Sequence, residues 1–86
     1  MADYQVTFAR SARKELESLD AEIVGRIFRK IERLAEDPRP AGCLKLVGEN
    51  NLWRIRIGDY RVIYSIEDKK EVVDIVAVRH RREAYD

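Results

Sequence analysis

Leu52-Trp53-Arg54-Ile55-Arg56-Ile57-Gly58-Asp59-Tyr60-Arg61-Val62-Ile63-Tyr64 is two alternating runs joined by a Gly-Asp pair. Such a pair between alternating segments reads as the two-residue loop of a β-hairpin. With Gly58 and Asp59 in the loop, Ile57 faces Tyr60, Arg56 faces Arg61, Ile55 faces Val62, Arg54 faces Ile63 and Trp53 faces Tyr64. Side chains alternate across a strand, so Trp53, Ile55, Ile57, Tyr60, Val62 and Tyr64 share one face. Arg54, Arg56 and Arg61 share the other. Like charges directly opposite each other destabilise a sheet. Setting Arg56 against Arg61 therefore points to an anion held between them. Guanidinium is the group best shaped to grip a phosphate.

Outward from the hairpin, the pattern changes period. Tyr4 to Phe8 alternates and reads as a first strand; from Ala9, Ala12, Leu16 and Leu19 recur at helical spacing. Asp20 stands where a helix cap is expected, and Glu22 complements the dipole of the helix that follows. Ile23, Val24, Ile27, Phe28, Ile31, Leu34 and Ala35 form its apolar stripe, and Asp37-Pro38-Arg39-Pro40 stops it. Two helices so closely linked predict an antiparallel hairpin lying on the sheet. Gly42 to Val47 reads as a strand or an extended loop, and Gly48 to Asn51 as a turn. Val72 to Val78 is the last strand, expected to pair Ile66 with Val73, Tyr64 with Ile75 and Val62 with Ala77. In that register Ile63, Val76, Val78 and His80 join the arginines. The expected fold is α+β: a small, twisted, mainly antiparallel sheet with an N-terminal helical hairpin packed on one face.

At 86 residues the chain is expected to be a single domain spanning 1–86. An apolar share of 45% suits one modest core. The charged residues number 17 basic and 16 acidic, so net charge implies no nucleic-acid partner and only placement does. Residues 1–40 are balanced, whereas Lys45 to Tyr64 carries Lys45, Arg54, Arg56 and Arg61 against Glu49 and Asp59, and the tail adds Arg79, His80, Arg81 and Arg82. Cys43 is the only cysteine, and nothing has metal-ligand spacing. With no signal-peptide pattern and no apolar run long enough to span a bilayer, the expected setting is cytoplasmic, away from membranes.

Arginines on a sheet face, with an imidazole and a phenol at its margin, suit a phosphodiester. Arg54 and Arg56 would hold backbone phosphates. In RNA the 2′-hydroxyl can attack phosphorus; the protein must then offset charge on the phosphoryl oxygens and move two protons. Arg61 and Arg81 suit the first task, and Tyr85 or His80 the second. No cofactor or metal is called for. Simpler roles stand beside these: Tyr64 belongs in the core, Trp53 and Tyr60 in core or rim packing, and Asp59 in the turn.

The order strand, helical hairpin, Leu44-Lys45-Leu46, Trp53 to Tyr64, then His80-Arg81-Arg82-Glu83-Ala84-Tyr85 resembles the RelE/ParE toxin superfamily over nearly the whole chain. The resemblance is closest to the RelE branch, metal-independent mRNA interferases of type II toxin–antitoxin modules that cut mRNA in the ribosomal A site. It implies catalytic roles for Arg54, Arg56, Arg61, Arg81 and Tyr85, with Lys45, Arg79, His80 and Arg82 as further RNA-binding residues. It also implies the ribosome and mRNA as partners, and a cognate RelB-like antitoxin. That antitoxin would silence the protein by covering the basic face or by displacing the segment that bears Tyr85. Some relatives carry lysine where this chain has Arg54 and Arg56. Arginine keeps its proton, so a general base would have to come from Tyr85 or His80. Glycine is common in the family where this chain has Arg79. A ParE-like inhibitor of DNA gyrase and a noncatalytic RNA- or ribosome-binding module are the competing readings.

Overall fold

The computed structural model describes residues 3–48 and 51–80. Its elements are β1 (Gln5–Phe8), α1 (Arg10–Glu17), α2 (Ala21–Glu36), β2 (Leu44–Lys45), β3 (Leu52–Ile57), β4 (Tyr60–Glu67) and β5 (Val72–His80). The strands form one sheet in the order β1-β5-β4-β3-β2, with β1 parallel to β5 and the other pairs antiparallel. The α+β fold expected from the sequence is the fold observed.

One side of the sheet carries the core. Ile27, Ile31 and Leu34 from α2 and Ala12 and Leu16 from α1 pack with Ile55, Ile57, Val62, Tyr64, Ile66, Val73, Ile75 and Val78. Tyr64 is fully buried, and its hydroxyl donates to the carbonyl oxygen of Pro38 at 2.8 Å. Burial pushes its pKa up, so the phenol stays protonated and the bond persists. This bond ties the α2–β2 connection to the middle of the sheet. Asp20 occupies the N-cap of α2 and its backbone carbonyl accepts from Val24, but its side chain makes no capping bond.

The hairpin of β3 and β4 has the register expected, from Ile57 opposite Tyr60 to Trp53 opposite Tyr64. Gly58, first of the two loop residues, has φ +59°. A two-residue loop that matches strand twist requires that left-handed backbone, which glycine adopts without strain.

The last strand departs from expectation. Tyr64 pairs with Ile75, but Ile63 pairs with Ala77, so Val76 is an extra residue in a β-bulge. Beyond it Val62 pairs with Val78, Arg61 with Arg79 and Tyr60 with His80. The expected pairing of Val62 with Ala77 is wrong by one residue, and every side chain past the bulge changes face. Burial agrees: Val78 sits in the core cluster, whereas Ala77 is buried outside it.

The bulge lies where β5 loses β1 as a neighbour, since β1 pairs only with Val72 to Ile75. There α1 takes over the strand edge. Ala9 N–H donates to the Ile75 carbonyl at 2.8 Å, Ser11 Oγ donates to the Val76 carbonyl at 3.1 Å, and Val78 N–H donates to Glu15 Oε1 at 2.8 Å. Backbone groups that a strand would have satisfied are met by a helix and its side chains.

A second tie closes the opposite end of β5. Asp68 accepts from Arg39 at 3.0 Å and from the Tyr4 hydroxyl at 2.7 Å. Arg39 lies 5.0 Å over the Trp53 ring, a cation–π contact.

Replacing Tyr64 with Phe should cost about 1–2 kcal/mol, because it removes a hydrogen bond and strands a carbonyl; urea denaturation would read the loss. Acid stability is also specified. The Asp68 carboxyl is held below the usual range, first by Arg39 and then by Tyr4. A depressed carboxyl pKa contributes stability that is present above the unfolded value, roughly pH 4, and lost as pH falls through the folded one. Asp68→Asn should therefore flatten the dependence of stability on pH below about pH 4, measured by denaturation across a pH series.

Candidate functional site

The face of the sheet turned away from the helices is organised in rows of paired residues. One row runs Leu44, Arg54, Ile63, Ala77 across β2, β3, β4 and β5. The next runs Arg56, Arg61, Arg79 across β3, β4 and β5. A third holds Leu52, Ser65, Asp74 and Thr7, where the Thr7 hydroxyl donates to Asp74 at 2.7 Å. The middle of this face is thus an apolar floor of Ile63 and Ala77 flanked by guanidinium groups.

The three hairpin arginines differ in depth. Arg56 is exposed, Arg61 is half-buried, and Arg54 is only 8% exposed. Burial is the main cause holding the Arg54 pKa below its ordinary value, followed by the charges of Arg56 and then Arg61. It remains a cation, since guanidinium does not lose its proton in proteins. Among the described residues, no carboxylate stands within ion-pair distance of Arg54, Arg56 or Arg61; the ion pairs there are Arg39 with Asp68 and Arg79 with Glu15. Three like charges share one face, and among the described residues no carboxylate is paired with them. A phosphate or carboxylate entering there would meet charge-assisted donors from two strands at once.

Residues 6–85 match the family described as ParE toxin of type II toxin–antitoxin system, parDE. The chain belongs to the RelE/ParE toxin superfamily. It is similar to an archaeal RelE in the RelE–RelB complex of Pyrococcus horikoshii, at 33% identity and TM-score 0.82 over 95% of this chain and 99% of that one. It is also similar to a chain of the RelBE2 toxin–antitoxin complex of Mycobacterium tuberculosis, at 30% identity and TM-score 0.83 over 94% of each. The isolated RelE toxin of Escherichia coli superposes with TM-score 0.79 at 28% identity, covering 90% of this chain and 83% of that one. A RelE-like toxin protein of the same bacterium is 28% identical over 96% of this chain and 90% of its own length.

In this RelE-like toxin, Arg54, Arg56 and Arg61 come together as the sequence predicts. Two other predicted residues do not join them. Lys45 pairs with Trp53, and Leu44 takes the place beside Arg54. Lys45 therefore projects from the helix-bearing side of the outer strand. His80 was expected among the arginines, but the bulge turns it to the other side. It stands against Tyr60, with ring centroids 5.1 Å apart and planes at 88°. There it lines a cleft of about 440 Å³ with Glu15, Ser18, Leu19 and Tyr60. Arg79 takes the position in the arginine row, yet its guanidinium is bound to Glu15. Arg81, Arg82 and Tyr85 lie outside the described residues.

Sequence reading missed Glu15 and the bulge. Glu15 and Val78 are 63 residues apart, and nothing local marks them as partners. Ile75-Val76-Ala77-Val78 has no alternation, so neither face of β5 is specified by its own pattern.

Removing one charge tests whether the toxin holds uncompensated repulsion. Arg56→Gln should raise stability at low salt by about 0.2–1 kcal/mol, the range for a like-charge cross-strand pair. Millimolar sulfate should stabilise the parent protein and scarcely move the variant. Thermal unfolding followed by circular dichroism decides it: a variant less stable than its parent at low salt contradicts the like-charge assignment.

Proposed function

We propose that this toxin is a ribosome-dependent endoribonuclease that cleaves mRNA in the ribosomal A site. The observation that carries this reading is the set of three guanidinium groups on one sheet face, with no carboxylate of the described residues to neutralise them. Inhibition of gyrase gives no reason of its own to set Arg56 directly across from Arg61. A phosphodiester gains two donors for its non-bridging oxygens.

The reaction assigned is attack of a 2′-hydroxyl on the adjacent phosphorus, with loss of the 5′-oxygen. Charge accumulates on the phosphoryl oxygens, and fixed cations close to them lower the barrier. Arg56 and Arg61 flank the phosphate from neighbouring strands, while Arg54 adds positive potential from a drier position, paired across the strands with Ile63. Arg54 cannot serve as general base, because it stays protonated. With His80 packed on Tyr60 across the sheet, Tyr85 is the candidate for proton transfer. Arg81 is the candidate fourth cation. A RelB-like antitoxin is the proposed partner that silences the toxin, as the complexes of its relatives suggest.

The family profile that matches this chain bears the name of ParE, and that favours a second reading: inhibition of DNA gyrase through protein contact. Incubating purified toxin with mRNA on programmed ribosomes, and separately with gyrase and relaxed plasmid, distinguishes the two. Cleavage of mRNA that depends on ribosomes supports the first reading; blocked supercoiling with intact mRNA supports the second. Arg61→Ala is expected to abolish growth arrest and mRNA cleavage, with loss of at least about 100-fold in rate, while the circular dichroism spectrum is unchanged. Full toxicity in that variant would remove the arginine face from the mechanism.

A further inference from the structure

The geometry points to Glu15 as a carboxylate gate on a fourth phosphate-binding arginine, Arg79. This rests on reading the arginine face as an RNA-phosphate site. The bulge at Val76 places Arg79 directly across from Arg61, which is itself across from Arg56. Paired strands lie about 4.8 Å apart, so the three residues form a continuous row over three strands. The backbone of Arg79 is therefore in line for the site, while its guanidinium is held back by Glu15 at the edge of β5.

Glu15 uses its two oxygens differently. Oε1 accepts from the Val78 N–H at 2.8 Å, and Oε2 binds Arg79. The first bond fixes the strand end to α1. The second is a partly exposed ion pair, with side-chain exposures of 41% for Arg79 and 26% for Glu15. Pairs of that exposure hold weakly. A phosphate arriving beside Arg61 offers Arg79 a second anion in fork geometry. Arg79 can then leave Glu15 without disturbing the strand, because Oε1 keeps its backbone bond. In the free toxin the gate limits non-specific attraction of polyanions; on a docked RNA it opens.

Glu15→Gln separates the two oxygens' roles, since an amide oxygen still accepts from Val78 N–H but carries no charge. The probe is a short 2′-O-methyl oligouridylate, which cannot be cleaved, with binding read by fluorescence anisotropy over a series of KCl concentrations. Glu15→Gln should bind about two- to five-fold more tightly than the parent, the equivalent of a weak surface pair released. Arg79→Gln should bind less tightly, with the slope of log affinity against log salt shallower by about 0.7, one phosphate contact on a single strand. In the Arg79→Gln background, Glu15→Gln should give no gain. An equal gain in both backgrounds would mean general electrostatics and overturns the gate, as does a parent-like slope for Arg79→Gln. Arg61→Gln is the control for the underlying reading. If it too leaves affinity and slope unchanged, the face itself is not the RNA site; if it weakens binding while the Glu15 and Arg79 variants behave as the parent, only the gate fails.

Discussion

Arg56 and Arg61 cannot move apart, because the opposite faces of their strands are committed. Ile55, Ile57, Val62 and Tyr64 are all buried beneath the helices. Each such side chain contributes about 1.5–3 kcal/mol when buried, whereas an opposed like-charge pair costs only about 0.2–1 kcal/mol. A one-residue slip would relieve the arginines and expose the whole apolar set. The core therefore wins, and the repulsion persists as a property of the folded chain. An anion that enters this face offsets that repulsion.

The same reasoning explains how far the sequence could be read. Strands β3 and β4 alternate cleanly around a two-residue loop, and their register was legible to the residue. The helices were legible from their apolar stripes and the Asp37-Pro38 stop, though Asp20 caps α2 only through its backbone. Strand β5 was not legible past Ile75. Four consecutive apolar residues give no parity, and the bulge is specified by groups on α1, far away in the chain. That single extra residue moved His80 away from the arginines and put Arg79 among them. The face that Lys45 takes was not legible for a related reason. Strand β2 is two residues long, too short for any alternation to be seen.

Membership of the RelE/ParE superfamily fixes the fold and the broad role of the chain, and leaves its chemistry to particular side chains. A sheet with two helices on one side offers an opposite face that any set of residues can occupy. Here that face holds arginines over an apolar floor, with Arg54 partly desolvated by its neighbours. Desolvation makes its field reach further than that of an exposed cation. Nuclease or gyrase poison is therefore a question about this surface rather than about the scaffold beneath it.

The helix that borders β5 has one more implication, for self-association. A sheet recruits foreign strands through unpaired main-chain groups at its margins. On one flank those groups of β5 are occupied by Ala9, Ser11 and Glu15 beyond a four-residue β1. On the other, β2 presents a ladder of two residues. Among the described residues neither flank offers a template long enough to seed stacking of one copy on another, so the fold resists polymerising through these edges.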